Sequence, residues 1–181
     1  MRCAEVSRRT GETDINISLD LDGQGTSNLD TGMGFFEHML NLFTTHGQFN
    51  LKVECSGDLF VDGHHSVEDI GIALGQAFTK AMGDKVGIKR YGTAFVPMDE
   101  ALIMVSLDLS GRAFLNYEVL VKAQMIGDYD TELTEEFLRA FAFNAGITLH
   151  VKMMAGSNSH HIVEGVFKAL ARALREALTI D

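Results

Sequence analysis

The sequence predicts an α+β protein made by internal duplication: two similar halves, each running strand, strand, helix, strand, helix, with sheets whose helices pack on one face. Three observations lead there. The segment HHSVE at 64–68 returns as HHIVE at 160–164, an offset of 96 positions. SLDLDG at 18–23 returns as SLDLSG at 106–111, each after an alternating or apolar run that reads as a strand. Between these repeats each half carries apolar residues at helical spacing, over 35–46 in the first and 133–145 in the second.

The elements follow in order. After the first strands, glycines across 23–31 mark a loop, 35–46 is a helix, and 47–57 is a strand flanked by glycines. A helix then begins at the HHxxE segment, with Val67, Ile70, Leu74, Ala77, Phe78 and Ala81 as its core stripe. The junction of the halves falls at 83–92. The second half repeats the plan: an apolar run that reads as a strand leads into 106–111, Pro97 is the sole proline, and an extra strand follows at 112–121. A loop at 127–130, a helix at 133–145 and a strand at 146–156 come next. The final helix has a stripe of Val163, Val166, Phe167, Leu170, Leu174 and Leu178. Glu12 and Glu100 occupy matching positions before their strands, and Leu40 aligns with Leu138, so His38 corresponds to Glu136. No flexible linker separates the halves (about 1–88 and 89–181), which are expected to pack as one unit over 1–181.

With 181 residues and 46% hydrophobic content the chain can bury a substantial core. Its net charge of −10 and pI near 5.1 oppose general binding to nucleic acid or to an anionic membrane. No apolar run of membrane-spanning length and no signal-like segment is present, so the cytoplasm is the expected location. Cys3 and Cys55 lack zinc-ligand spacing and read as reduced thiols.

The repeated HHxxE segments carry the chemistry. Residues four apart share a helix face, so His64 with Glu68, and His160 with Glu164, can each grip one ion. The neighbouring His65 and His161 lie about 100° further round and face a different ion. With His38 and Glu136 added, one ion draws His38, His65, His160 and Glu164, and the other His64, Glu68, Glu136 and His161. Each ion thus takes ligands from both halves. Imidazole and carboxylate without thiolate suit Zn, Mn, Fe, Co or Ni, and four protein ligands on an octahedral ion leave two positions for substrate or water. From the residues alone such a centre also serves a two-metal hydrolase or a non-catalytic metal staple between subunits.

Taken together, GFFEHML at 34–40, DGHHSVED at 62–69, PMDEA at 97–101 and NSHHIVE at 158–164 resemble the imidazoleglycerol-phosphate dehydratases of histidine biosynthesis along nearly the whole chain. That resemblance implies two similar α+β halves, two Mn²⁺ per active site and a homo-oligomer of 24 subunits with active sites between subunits. It implies a hydro-lyase that converts imidazoleglycerol phosphate to imidazole acetol phosphate and water, with the metals stabilising an imidazolate. Many members carry histidine where this chain has Glu136, so the second ion would gain a negative charge and an oxygen ligand. The family's C-terminal Ser-Lys-Gly segment, which helps hold the substrate phosphate, does not follow LTID at 178–181, so either this sequence stops short of it or that contact is absent.

Carried over position by position, the resemblance makes Glu12 the acid/base, with His65 and Glu164 as further catalytic residues. Arg90 and Arg112 match the phosphate contacts, and Lys168, one turn beyond Glu164, is a further cation for the same anion. His46 closes the segment that resembles a substrate-contacting stretch. Glu12, His38, His64, Glu68 and His160 complete the expected substrate contacts.

Overall fold

The computed structural model describes every residue, Met1–Asp181. The elements are β1 (Cys3–Arg9), β2 (Thr13–Asp20), β3 (Ser27–Asp30), α1 (Gly34–Gly47), β4 (Asn50–Gly57) and α2 (His64–Met82) in the first half. The second half has β5 (Tyr91–Met98), β6 (Ala101–Asp108), β7 (Phe114–Glu118), β8 (Met125–Ile126), β9 (Tyr129–Asp130), α3 (Leu133–Ala145), β10 (Thr148–Ala155) and α4 (Ser159–Ala177). Two four-stranded sheets result, ordered β1-β2-β4-β3 and β5-β6-β10-β7. Each is antiparallel except for its last strand, which runs parallel to its neighbour. The duplicated α+β plan is therefore present strand for strand in the two four-stranded sheets, with β8 and β9 added in the second half.

Alternation decides which sheet face is covered. In β2, Thr13, Ile15, Ile17 and Leu19 are buried while Asp14, Asn16 and Ser18 face out; in β6 the buried set is Ala101, Ile103, Val105 and Leu107. The helices lie on that buried face. α2 packs on β1 and β2, and α4 on β5 and β6.

Two details differ from the sequence expectation. β3 falls inside the glycine-marked loop at 23–31: its SNLD has no apolar alternation, and it is a strand because it pairs in parallel with β4, from Ser27 with Leu51 to Asp30 with Glu54. The 127–130 loop is the turn and return strand of a small hairpin, β8-β9, turning at Gly127 with φ +58°.

The helices of the two halves pair across the duplication, α1 with α4 and α2 with α3. Both pairs run parallel. His38 meets Glu164 near the start of one pair, and Gly71, Gly75 and Thr79 meet Phe137, Phe141 and Asn144 in ascending order in the other. Rings from all four helices fill the space between them: Phe36 and Phe43, Phe78, Phe137 and Phe141, and Phe167, mostly in edge-to-face or tilted contact. One contiguous core of 49 buried residues spans both halves.

α2 and α3 touch backbone to backbone because of two glycines one turn apart. A Cβ at Gly71 would sit 2.9 Å from the Phe137 carbonyl oxygen, and one at Gly75 would sit 2.8 Å from that of Phe141. We expect Gly75→Leu to force the helices apart and cost about 1–3 kcal/mol. Phe78→Ala should cost about 3–5 kcal/mol by opening a cavity at the centre of the cluster. Chemical denaturation checks both, and unchanged midpoints would show that the helix pairing is looser than described.

Candidate metal centre

The parallel helix pairs bring the HHxxE turns to face side chains of the other half. Asn158 caps α4, its side chain accepting from the His161 backbone N–H at 3.0 Å, while in α2 the N-cap is Gly63 and Asp62, just before it, accepts from the His64 N–H at 2.9 Å. These bonds tie down the first turns on which all four histidines stand.

At the α1/α4 end, ligand atoms of His38, His160 and Glu164 lie within 4.8 Å of one another. Glu164 Oε2 is 3.0 Å from His160 Nε2 and 3.7 Å from His38 Nε2, while its Oε1 meets Lys168 Nζ at 2.6 Å. Burial pushes the Glu164 carboxyl up, but Lys168 and His160 outweigh it and hold the group below the usual carboxylate range. Phe35 stands edge-on to the His160 ring, with centroids 5.2 Å apart, and is backed by the fully buried Tyr129.

At the α2/α3 end, His64 Nε2 lies 3.3 Å from Glu68 Oε2, and His64 and Glu136 line one cavity of about 600 Å³. The α1/α4 cluster therefore combines His160 and Glu164 with His38 of the other half, while at the α2/α3 end Glu136 of the other half faces the cavity that His64 lines without closing on the His64–Glu68 pair.

His65 and His161 join neither cluster within the chain. Each is braced instead at Nδ1 by a carboxylate: His65 by Asp58 at 2.7 Å and His161 by Glu100 at 2.8 Å. This holds each ring with Nε2 turned from the brace, the arrangement in which a carboxylate orients a metal-binding imidazole. Glu100 also accepts from the backbone N–H groups of Ser157 and Asn158. The hydrogen bond from His161, with those from Asn158 and Ser157, pulls the Glu100 carboxyl down to about 2. Sequence reasoning missed both braces. Glu100 was visible as the partner of Glu12 in the repeat, whereas nothing local marks Asp58.

Glu12 lies in the β1-β2 turn, exposed, taking one hydrogen bond from Thr10 Oγ1 at 3.2 Å and close enough for its charge to favour protonated His65. His46 ends α1 facing α4, where burial and then the charges of Lys168 and Arg172 lower its pKa. Arg90 and Arg112 gather elsewhere. Arg90 Nε and Nη2 reach Asp108 at 2.7 and 3.2 Å, and Arg112 Nη2 comes to 3.9 Å of the same carboxylate. Tyr91 pairs with Asp108 at one end of the β5-β6 hairpin and Met98 with Ala101 at the other, next to Glu100 and its histidine. Eight residues of strand at about 3.3 Å each put roughly 26 Å between the arginines and His161. One chain alone does not bring Arg90 and Arg112 to its own His161.

The donor set fits a divalent first-row ion: two imidazoles and a carboxylate converge at the α1/α4 end, His64 pairs with Glu68 and shares a cavity with Glu136 at the α2/α3 end, and the outer histidines are pre-oriented. Asp58 raises the His65 pKa chiefly through its hydrogen bond, and Glu100 does the same for His161. The folded pKa values lie above the unfolded ones, so these pairs favour the fold at low pH and lose that contribution as pH rises through the folded values. In the metal-free protein, Asp58→Asn is expected to lower the His65 titration midpoint seen by NMR. An unmoved midpoint would remove Asp58 as its brace.

The sequence profile of the imidazoleglycerol-phosphate dehydratase family matches residues 31–174. The imidazoleglycerol-phosphate dehydratase of Acetivibrio thermocellus is 60% identical over 177 residues, covering 98% of this chain and 91% of its own. That of Thermoanaerobacter pseudethanolicus is 61% identical over 181 residues, covering 100% and 93%. Among solved structures, the enzyme of Staphylococcus aureus superposes with a TM-score of 0.90 at 42% identity over 99% of both chains. The protein of Pyrococcus furiosus gives 0.86 at 34% identity, over 97% of this chain and 94% of the other. The chain belongs to the imidazoleglycerol-phosphate dehydratase family of hydro-lyases.

Proposed function

We propose that the chain converts imidazoleglycerol phosphate to imidazole acetol phosphate and water, in histidine biosynthesis, as a metal-dependent homo-oligomer. Besides family membership, the observation that carries this reading is the cluster of His38, His160 and Glu164 within 4.8 Å, built from both halves. His38, His160 and Glu164 with an outer His65 would hold one ion, and His64, Glu68 and Glu136 with an outer His161 the other. Two ions of the Mn²⁺ type, when bound, supply positive charge against the substrate's imidazole ring.

The protein's own groups account for the remaining needs of the reaction. The proton to be removed is not acidic, so a carboxylate must take it and a proton must reach the departing hydroxyl. Glu12 suits that relay because the repeat is broken at this point. In the second half Glu100 is consumed in bracing His161, whereas in the first half Asp58 braces His65 and leaves the matching Glu12 exposed and bound only to a hydroxyl. Arg90 and Arg112 suit a phosphate through charge-assisted hydrogen bonds, and Arg112 keeps most of its guanidinium in solvent. Lys168 is drawn to Glu164 first, so its part in holding phosphate is secondary to neutralising that carboxylate.

The separation of the arginines from the histidines supports an active site completed by another copy, in keeping with the 24-subunit assembly that the resemblance implies. No helix is long and apolar enough to cross a membrane.

Incubation with imidazoleglycerol phosphate tests the proposal. Ketone product should form with Mn²⁺ and cease after chelation; no product with both ions bound would refute the assignment of substrate. Glu12→Gln should retain its metal and lose turnover by roughly 10²–10⁴-fold. Arg112→Ala should act mainly on KM, and a pure kcat effect would take Arg112 out of phosphate binding.

A further inference from the structure

The two clusters are related by the repeat but differ in charge. In the first, the one carboxylate, Glu164, is matched by Lys168 Nζ at 2.6 Å. At the α2/α3 position two carboxylates flank His64, Glu68 beside it and Glu136 on the cavity it lines, and the repeat places Ile72 where Lys168 stands in the other half. Glu68 has only His64 as a charged partner, at 3.3 Å. The surroundings widen the gap: Asp62, Asp128, Asp130 and Glu132 line the cavity that holds His64 and Glu136, and no lysine or arginine does. Three of these come from the β9 region and its approach to α3, which has no counterpart in the first half.

We infer that the two metal positions of each chain are chemically inequivalent, Glu136 making the α2/α3 position the tighter and first-filled site for a hard, oxygen-seeking ion such as Mn²⁺, while the histidine-rich α1/α4 position favours a softer ion such as Zn²⁺. This rests on the metal reading above. The physical basis is twofold. Carboxylate oxygen suits Mn²⁺ and imidazole nitrogen suits Zn²⁺. A cation approaching the α2/α3 position meets two carboxylates with no lysine or arginine beside them, and one approaching the α1/α4 position meets a carboxylate already neutralised by an ammonium. Adding one braced histidine to each cluster leaves the difference unchanged. Salt should therefore weaken the α2/α3 position more, because its exposed carboxylates are screened and a contact ion pair such as Glu164 with Lys168 is not.

The test uses the assembled protein stripped of metal, titrated with Mn²⁺ and then challenged with Zn²⁺, with calorimetry and elemental analysis as readouts independent of turnover. Two classes of one ion per chain are expected, the tighter Mn²⁺ class being the more salt-sensitive, and Zn²⁺ should displace Mn²⁺ first from the weaker class. Glu136→His and Glu136→Gln should each weaken the tight Mn²⁺ class by roughly tenfold or more, the scale of removing one charge about 4 Å from a cation. Glu136→His should in addition raise Zn²⁺ uptake at that position. Lys168→Met, which leaves α3 untouched, should strengthen the other class and narrow the gap. One class of two equal ions, with the same Mn²⁺ to Zn²⁺ ratio in wild type and variants, would overturn the inference and leave the proposed reaction standing. No bound metal at all would overturn both.

Discussion

Helices from opposite halves lie side by side and parallel, α1 with α4 and α2 with α3, and this pairing locates everything else. Because the pairs are parallel, the N-terminal turn of each HHxxE helix meets the N-terminal turn of a helix from the other half. Because α2 and α3 approach at Gly71 and Gly75 with no side chain between them, that end of the bundle is held by backbone contact as well as by phenylalanine packing. The sheets act as covers. Their alternating strands bury the outer sides of the helices and leave a polar face outward on β2.

Much of this was legible in the chain. Strong alternation in TDINISLD and ALIMVSLD, and the wide apolar stripes of the last helix in each half, report burial directly, because each residue's environment is set by its own strand or helix period. The helix at Leu133–Ala145 falls where its apolar spacing predicts. β3 was not legible: a four-residue polar strand exists only because β4 offers a free edge, and that is non-local information. The choice of helix partner was hidden for the same reason. An apolar stripe shows that a face is covered, not by what.

The site divides along the same line. The i, i+4 pairs His64 with Glu68 and His160 with Glu164 follow from helix geometry, and His38 lies beside the second pair. The braces did not follow. Glu100 reaches His161 from 61 positions away across the β5-β6 turn, and Asp58 breaks the repeat, since Ser157 follows Gly156 where Asp58 follows Gly57. That broken symmetry is informative: it releases Glu12 from the structural work that Glu100 performs, and it leaves one half of a duplicated fold free to acquire acid/base chemistry.

His161 and the arginines proposed to hold the phosphate, Arg90 and Arg112, sit at opposite ends of a β-hairpin within one chain. The account therefore depends on neighbouring copies supplying each other's sites. Subunit complementation tests this most directly: His160→Ala and Arg112→Ala chains, each of low activity alone, are dissociated, mixed and reassembled. Turnover well above that of either parent is predicted, since mixed contacts place an intact histidine cluster against an intact arginine. Turnover no higher than the average of the parents would contradict a site shared between subunits.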